Sequence, residues 1–419
     1  MIGDAYDLVM DALATSASTV SLGETETQQR VSARESRFLL QTYQRSPITI
    51  DRGEGCVFWD LQGRRYLDFI TGIGVNALGH SHPRLVQTIQ AQAAQCLHTS
   101  NLFYHRYQGL LAERLVEWSG LARVFFSNSG TEAVETALKA ARAAGNRHQP
   151  RRHKIVALYN GFHGRTMGAL AVTGQEKYRR PFEPLLEGVE FIAANDRDAL
   201  RRVVDRETAA VILEVVQGEG GIYPLSRDFV ADVRTLTERA GAMWIADETQ
   251  CGLGRTGTRF AYQRFEDVGL PDIVVTAKPL AAGLPLGATI FSEAAAAAIP
   301  LGMHGTTFGG GPLACRVAAE VLELVDALLP HIRIVGEHLQ ARLRWLAGRH
   351  RVVTEIRGAG LMAGIQLDGL GHRYVDICLD RGLAINCTHD TVLRLLPPLI
   401  VSTSEIDEAI STLDAALAV

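Results

Sequence analysis

The sequence predicts an α/β protein, in which a mostly parallel sheet forms a large domain and a smaller α+β domain follows. From about residue 124 to residue 288, short apolar runs alternate with amphipathic helices, which is typical of a parallel sheet covered on both faces. Beyond residue 310 we expect helices at 315–329, 331–347 and 404–418 and a strand at 352–357. The predicted division is an N-terminal segment at 1–75, a large domain at 76–309 and a small domain at 310–419.

Composition narrows the class of protein. Of 419 residues, 47% are hydrophobic and 21% are charged, as in a globular protein. The net charge of −4 offers no basic surface for nucleic acid and favours a small-molecule partner. No apolar run is long enough to cross a membrane, and six scattered cysteines suggest neither a zinc site nor disulfides. Because no basic residue precedes Arg30, a secretory or transit peptide is excluded and we expect a cytoplasmic protein.

The N-terminal tail, residues 1–29, is expected to carry no chemistry. Residues 1–29 show weak helical periodicity and then polar composition, which indicates a mobile or partner-packed tail. From Ile48, apolar and polar residues alternate around two turns, which predicts a small antiparallel meander. His80 and His82 precede Pro83, and we interpret them as a helix entry because no third metal ligand lies at a useful spacing.

A turn of small residues follows the first strand of the large domain. Strand 123–126 leads through Ser129, Gly130 and Thr131 into an Ala-rich helix at 132–144. Free backbone N–H groups and the helix dipole make such a turn a phosphate site. An ordinary helix cap remains the alternative for this turn taken alone.

Two later strands end in an acid and an amine. The apolar run 243–246 is followed by Asp247, and the run 273–277 is followed by Lys278. Ligands of an open α/β sheet bind beyond the carboxyl ends of its strands, so both side chains are expected to face one crevice. A pyridoxal phosphate site needs this pair, since a lysine forms the Schiff base and a carboxylate keeps the pyridinium nitrogen protonated. A turn-capping Asp and a solvated Lys are the simpler alternative.

Two further turns carry side chains suited to the same crevice. Phe162 and Arg165 follow the strand 154–158; an aromatic ring can stack on a planar cofactor, and an arginine can bind a carboxylate. A buried Phe and a surface Arg are the alternative. Glu219 lies in the Gly-rich loop 217–221 after the strand 209–213, and it adds one acid that can face the site.

A dinucleotide site is the competing interpretation. Gly252, Gly254 and Gly257 spell G-x-G-x-x-G, and Asp272 lies 20 residues beyond the first of them. That fingerprint opens a helix directly after its strand, whereas here residues 247–250 intervene and residues 255–258 continue as loop. A dehydrogenase and a cofactor-free binding protein are therefore kept as alternatives.

Seven sequence runs, in this order, resemble the class III pyridoxal-phosphate aminotransferases. They are SNSGTEA (127–133), GFHGRT (161–166), QGEGG (217–221), DETQCGLGRTG (247–257), TAKPLAAGLPLGA (276–288), HGTTFGGGPLAC (304–315) and THDTVLRLLPPL (388–399). The resemblance covers nearly everything after about Gln41. It implies a fold-type I pyridoxal-phosphate-dependent transferase with a sheet of the seven-stranded type, acting as a homodimer with active sites at the interface.

The resemblance implies a role for each matching position. Lys278 would hold the cofactor and move the proton, Asp247 would pair with the pyridinium nitrogen, and Gln250 would touch the ring hydroxyl. Phe162 would stack on the ring. Further cofactor contacts are implied for Ser129, Gly130, Thr131, His163, Glu248 and, from the other subunit, Thr307.

The resemblance also implies how two acids share one pocket. Arg165, with Thr306 close by, would hold the carboxylate at the far end of the amine substrate. Arg394 would bind the α-carboxylate of 2-oxoglutarate, and Glu219 would neutralise Arg394 while the ω-amine is bound.

The substrate expectation rests on three more runs, GIGVNALGH, TGQEKYRRPFEPLL and VLRLLPPLI. They are similar to those of family members that act on N-acetyl-L-ornithine, which with 2-oxoglutarate gives N-acetyl-L-glutamate 5-semialdehyde and L-glutamate in arginine biosynthesis. 4-Aminobutyrate, ornithine, succinylornithine and a lysine-pathway amine are the alternative substrates. Thr306 and Gly311 depart from the usual pattern near the substrate and leave the acyl preference open.

Overall fold

The computed structural model describes residues 27–419. The predicted N-terminal tail, residues 1–29, lies almost wholly outside the described residues. The chain forms two compact units. One consists of the chain up to Arg52 together with Trp59–Arg65, and the other consists of Gly53–Phe58 and Tyr66–Val419. The three-part division at residues 75 and 309 stays a prediction.

The secondary structure follows the expected alternation of strands and helices. The helices are α1 Gln28–Phe38, α2 Thr71–Gly74, α3 Pro83–Ala93, α4 Arg106–Ser119, α5 Gly130–Gly145, α6 Met167–Ala171, α7 Glu176–Arg179, α8 Arg197–Val203, α9 Arg227–Ala240, α10 Glu293–Ala296, α11 Pro312–Ala347, α12 His372–Asp380 and α13 Thr403–Leu417. The strands are β1 Ile50–Glu54, β2 Val57–Asp60, β3 Arg65–Asp68, β4 Arg123–Ser127, β5 Lys154–Leu158, β6 Val189–Ile192, β7 Thr208–Leu213, β8 Val216–Gln217, β9 Tyr223–Pro224, β10 Met243–Asp247, β11 Ile273–Thr276, β12 Gly287–Phe291, β13 Val353–Ala359, β14 Met362–Leu367, β15 Leu383–Ala384, β16 Asn386–Thr388 and β17 Val392–Leu395.

A seven-stranded sheet forms the centre of the larger unit, with strand order β4-β12-β11-β10-β7-β5-β6. The pairs β10/β11, β10/β7, β5/β7 and β5/β6 are parallel, and β12 runs antiparallel to β11 and β4. Every residue of β5, β7 and β11 is buried, as expected of strands covered by helices on both faces. The predicted mostly parallel α/β sheet is therefore confirmed.

A second sheet, with order β13-β14-β17-β16, is antiparallel throughout. It places Arg394 on β17, opposite Gly364 of β14 and Asn386 of β16. The predicted meander corresponds to β1, β2 and β3, which are consecutive in a third sheet, where β15 runs parallel to β3. His80 Nε2 lies 2.9 Å from Asp68 Oδ2, and His82 immediately precedes α3.

One prediction about the helices is wrong. The sequence favours two helices meeting at Pro330, whereas α11 is a single helix of 36 residues with Pro330 inside it. Proline removes one backbone donor and disfavours helix continuation. However, Val325, Ile332, Val335 and Leu339 are all buried on either side of it, so continuous burial of one apolar face outweighs the local cost. None of the helices of residues 27–419 is both long and apolar enough to cross a membrane.

Candidate active site

A cavity of about 370 Å³ is lined by Asp247 and Lys278. Asp247 is the last residue of β10 and lies opposite Val275 of the parallel neighbour β11, which ends two residues before Lys278. The cavity is thus beyond the carboxyl ends of adjacent parallel strands, as the sequence predicts.

The electrostatic setting of Lys278 favours a reactive amine. Burial lowers the pKa of Lys278 below its ordinary value, outweighing the opposite influence of Glu219, and the charge of Arg394 lowers it further. A lower pKa increases the neutral fraction of the amine, which is the form that attacks a carbonyl carbon and accepts a proton.

Asp247 is held by a buried histidine. His163 Nδ1 lies 2.7 Å from Asp247 Oδ2, and the His163 side chain is fully buried. Burial acts to lower the pKa of His163, but the hydrogen bond to Asp247 and the nearby Glu214 outweigh it and the pKa is raised. The other Asp247 oxygen accepts the Thr249 N–H at 3.0 Å. These contacts keep a negative charge oriented at the strand end.

The predicted phosphate turn is the N-terminus of α5. Ser129 caps the helix by accepting the Glu132 N–H at 3.3 Å. The Thr131 hydroxyl accepts the backbone N–H groups of Arg165 and Thr166, each at 3.2 Å. A Cβ at Gly130 would lie 2.8 Å from Thr249 Cγ2, so only glycine allows this close approach. Ser129, Gly130 and Thr131 all line the cavity.

The cavity presents polar groups that suit a phosphate-bearing ring. Among residues 27–419, its lining includes two buried polar atoms without a hydrogen-bond partner, Thr249 Oγ1 and His163 Nε2. Buried polar atoms are normally paired, so such atoms mark a place for a further partner. Together with the helix N-terminus, the Phe162 ring and the Lys278 amine, they fit pyridoxal phosphate. We call Lys278, Asp247, His163 and residues 129–131 the cofactor end of the cavity.

Another part of the cavity is bordered by an ion pair, Arg394 and Glu219, which we call the carboxylate end. Arg394 Nη1 lies 2.5 Å from Glu219 Oε1, and the Arg394 side chain is only 1% exposed. Arg394 also donates to Asn386 Oδ1 at 3.2 Å and to Gln250 Oε1 at 3.4 Å. Glu219 and Gln250 line the cavity, and Arg394 lies behind them.

Glu219 carries a charge near neutral pH. Burial acts to raise the pKa of Glu219, but Arg394 and then Lys278 outweigh it, so the pKa is lowered. An ionised Glu219 neutralises Arg394, and displacing it would present a buried cation to an incoming carboxylate.

Phe162 and Arg165 both line the cavity. The Arg165 guanidinium carbon lies 3.8 Å from the centre of the Tyr178 ring and 5.4 Å from that of Phe162. Arg165 is exposed, so its guanidinium can meet an entering carboxylate.

Besides Arg394, three predicted site residues lie outside this cavity lining: Thr306, Thr307 and Glu248. The Thr306 hydroxyl accepts Asn128 Nδ2 at 3.4 Å, and Thr307 is exposed beside it. Glu248 is buried, and its carboxylate accepts the N–H groups of Ala261 at 2.7 Å and Tyr262 at 2.9 Å. Glu248 thus anchors a 3₁₀ turn rather than reaching the cofactor end, because neighbouring strand residues point to opposite faces.

Glu214 and Thr249 are among the lining residues for which the sequence predicts no role. Glu214 directly follows β7, as Asp247 ends β10. The pattern that predicts a site role for Asp247, an acid at the end of a buried strand, is therefore also present at Glu214. Thr249 follows Asp247 by two residues, and no sequence pattern singled it out.

The Gly-rich run 252–257 has a structural role. A series of turns follows β10, and the next element is a 3₁₀ helix at Ala261–Arg264, so no helix opens at the glycines. The fully buried Arg255 donates to the carbonyl oxygens of Leu361 at 3.2 Å and Pro397. The run therefore ties together the turn after β13 and the segment after β17, which is not how a dinucleotide loop is built.

Comparison with known proteins agrees with this geometry. The model of the family "Aminotransferase class-III" matches residues 40–417. The acetylornithine aminotransferase of Methanocaldococcus jannaschii is 44% identical, over 91% of this chain and 96% of its own length. That of Caldanaerobacter subterraneus is 45% identical, over 91% of this chain and 98% of its own.

Solved structures show the same fold. The ornithine aminotransferase of Toxoplasma gondii, a protein described with PLP at its active site, superposes with a TM-score of 0.90 at 30% identity, covering 94% of this chain and 95% of that one. The acetylornithine aminotransferase of Elizabethkingia anophelis gives 0.85 at 30% identity, covering 94% and 100%. A lysine and an aspartate at the ends of adjacent parallel strands, in a chain matched along nearly its whole length, lead to one conclusion: this chain belongs to the class-III aminotransferases.

Proposed function

We propose that this chain is a pyridoxal-phosphate-dependent ω-aminotransferase that converts N-acetyl-L-ornithine and 2-oxoglutarate to N-acetyl-L-glutamate 5-semialdehyde and L-glutamate, a step of arginine biosynthesis. The observation that carries this proposal is the Arg394–Glu219 pair at the cavity that contains the Lys278 amine. One cavity can then accept a substrate that leads with an amine and another that leads with a carboxylate. The named activity of the curated relatives supports the acetylated substrate.

The cofactor, when bound, supplies an aldehyde carbon that takes up the amine nitrogen and a ring that withdraws electrons from the reacting carbon. Lys278 would hold it and carry the proton to and from the substrate, a task that its lowered pKa favours. Asp247, oriented by His163, would keep a proton on the ring nitrogen. The N-terminus of α5 would hold the phosphate, while Phe162 and Gln250 would contact the ring.

The two carboxylate sites divide the substrates between them. In the amine half-reaction, Glu219 neutralises the charge of Arg394, so the far carboxylate of the substrate goes to Arg165, with Thr306 close by. In the keto-acid half-reaction, Glu219 moves aside and Arg394 binds the α-carboxylate of 2-oxoglutarate. Arginine suits this role because its planar fork binds a carboxylate with two hydrogen bonds.

A homodimer completes the proposal. Apolar side chains are exposed on both sides of Thr307, and the same surface continues onto the segment 97–104, which Asn101 Nδ2 joins to the Gly309 carbonyl at 3.1 Å. The exposed side chains are Leu97, Leu102, Phe103, Tyr104, Leu301, Met303 and Phe308. A contiguous apolar patch of this kind favours contact with a second copy. Thr307 would then reach the partner's phosphate site.

We also assign the reaction to the cytoplasm, because the scattered cysteines of the sequence do not suggest a disulfide framework.

Visible absorption of the purified holoenzyme tests the reaction. N-acetyl-L-ornithine added without a keto acid is expected to abolish the band of the lysine-bound cofactor, and 2-oxoglutarate is expected to restore it. If only 4-aminobutyrate or free ornithine changes the band, the class stands and the substrate is wrong. A protein that never gains a band with pyridoxal phosphate contradicts the proposal.

Mixing two impaired variants tests the dimer. A Lys278→Ala chain paired with a Thr307→Ala chain forms one site with an intact lysine and an intact partner threonine. Activity above that of either variant is therefore expected after subunit exchange. A monomeric mass in solution, or no gain on mixing, contradicts the shared site.

A further inference from the structure

Glu214 connects two loops that face the cavity. It directly follows β7, is only 6% exposed and lines the cavity. Glu214 Oε1 accepts the Phe162 N–H at 2.9 Å, and Glu214 Oε2 accepts the Gly218 N–H at 2.9 Å. Each carboxylate oxygen is thus committed to a different loop.

The two loops serve different ends of the cavity. Phe162 lies in the turn 161–164, which also carries His163 of the cofactor end. Gly218 follows β8, in the hairpin β8–β9 whose tip carries Glu219 of the carboxylate end. Gln217 Nε2 makes a second link by donating to the Tyr159 carbonyl at 3.0 Å.

The backbone of the hairpin tip has little freedom to shift. A Cβ at Gly218 would lie 2.1 Å from Gln250 Oε1, so the backbone already touches a side chain that contacts Arg394. Thr388 Oγ1 donates to the Glu219 carbonyl at 2.8 Å. A displacement of the Gly218 amide would therefore be passed directly to Glu219 and Gln250.

Burying the Glu214 carboxylate costs free energy unless hydrogen bonds to its oxygens offset that cost. Burial raises the pKa of Glu214 to about 7, the neighbouring His163 and the two backbone amides act to lower it, and Asp247 acts to raise it. A buried carboxylate is tolerated when its oxygens are hydrogen-bonded, and here both bonds go to loop backbone rather than to another side chain.

We propose that Glu214 is a positioning residue that couples the turn carrying Phe162 to the hairpin carrying Glu219. Cofactor stacking and carboxylate selection are then set together by one side chain. The kinetic consequence rests on the proposed function, whereas the coupling of the loops is a property of the chain itself.

Glu248 offers a matched control. It too follows its strand closely and is fully buried, burial likewise raises its pKa to about 7, and it also accepts two backbone N–H groups. Those amides belong to Ala261 and Tyr262, away from both loops. Glu214→Gln and Glu248→Gln therefore make the same chemical change at two buried acids that each accept two backbone N–H groups.

Hydrogen exchange of the holoenzyme, read by mass spectrometry, tests the coupling. Glutamine offers one acceptor oxygen, so Glu214→Gln leaves one of the two amides unpaired, and exchange is expected to rise about tenfold in both segments 159–164 and 216–222. Glu248→Gln is expected to raise exchange at 260–263 and not in those segments. A rise in only one segment, or in neither, overturns the proposal. If Glu214→Gln does not fold, Glu214→Asp, which keeps the charge on a shorter side chain, takes its place with the same expectation.

A double-mutant cycle tests the consequence for selectivity. Single-turnover rates of the two half-reactions are measured for Glu214→Gln, Glu219→Gln and the double variant. The ratio of the two rates is expected to change about tenfold in Glu214→Gln and by much less when Glu219 is already substituted, because contacting residues couple. Additive losses that leave the ratio unchanged would indicate only a stability role and overturn the proposal. Failure of the unmodified holoenzyme in either half-reaction contradicts the proposed function, while the exchange result still decides the coupling.

Discussion

The two ends of the cavity are built differently. At the cofactor end, Asp247 and Lys278 follow adjacent parallel strands of one sheet, and residues 129–131 open a helix on that sheet. At the carboxylate end, Arg394 comes from a strand of a separate antiparallel sheet, and Glu219 from the tip of a two-stranded hairpin. The cofactor end is fixed by buried strands, whereas at the carboxylate end the Glu219 side chain forms an ion pair with Arg394 that a substrate carboxylate can replace.

This difference suggests a division of labour. Groups that serve both half-reactions should lie where the structure cannot shift, and groups that distinguish two substrates should lie where it can. Substitutions at the cofactor end should therefore damage both half-reactions alike. Substitutions at the carboxylate end should change their ratio.

The largest effect is expected for Lys278→Ala. Because the variant loses the amine that carries the proton, both half-reactions should fall by about 10³-fold or more. Single-turnover measurements with each substrate check this expectation. Turnover at the normal rate would remove Lys278 from its assigned role, and a loss confined to one half-reaction would break the comparison between the two ends.

Arg394→Ala should separate the half-reactions. It removes the cation that meets the α-carboxylate of 2-oxoglutarate and leaves Glu219 unpaired, so the keto-acid half-reaction should lose about 10²-fold more than the amine half-reaction. Arg165→Ala is the contrasting variant and should harm the amine half-reaction, where the far carboxylate of the substrate is held. Equal losses in both halves for Arg394→Ala would contradict the assigned division.

The cofactor end was accessible from sequence because its signals are local. An apolar run followed by an acid or a lysine marks a strand end, and the observed β10 and β11 differ from the predicted strands by one residue at one end each. Adjacent parallel strands then bring their ends together without further information. The helix after residues 129–131 is likewise predicted locally, by a turn of small residues followed by an Ala-rich run.

The carboxylate end was accessible only through family resemblance. Nothing local to Arg394 predicts that β17 lies beside a hairpin about 170 residues earlier in the chain. Side-chain direction was also missed at Glu248, which follows Asp247 but bonds to Ala261 and Tyr262. The position of Arg394 depends on long-range packing, and the contacts of Glu248 depend on the direction of its side chain. Neither can be predicted from a short run of sequence.

Glu219→Gln should have an intermediate effect of the opposite kind to Arg394→Ala. A neutral side chain leaves the Arg394 charge uncompensated beside the site of the amine, so the carboxylate of N-acetyl-L-ornithine is drawn to the wrong place. The amine half-reaction should fall about tenfold, with a smaller change for 2-oxoglutarate. Inhibition by excess N-acetyl-L-ornithine is measured for the unmodified enzyme and for Glu219→Gln. Stronger inhibition of the variant is expected, because its uncompensated Arg394 binds the substrate carboxylate in the wrong place. A larger loss with 2-oxoglutarate would contradict the switch.

The smallest effect concerns Glu248, the neighbour of Asp247 that belongs to neither end. Burial raises the pKa of Glu248 from 4.5 to about 7. A folded state that binds a proton more tightly than the unfolded state is favoured at low pH, so this contribution is complete below pH 4.5 and is lost as the pH rises to about 7. While Glu248 titrates, the free energy of unfolding falls by up to about 1.4 kcal/mol per pH unit. In Glu248→Gln the free energy of unfolding should fall less steeply between pH 5 and 7. The titration of Glu214, whose pKa is also raised to about 7, should account for part of the fall that remains. Denaturant unfolding of both proteins across this range measures the two slopes, and equal slopes would mean that Glu248 is not buried as a neutral acid.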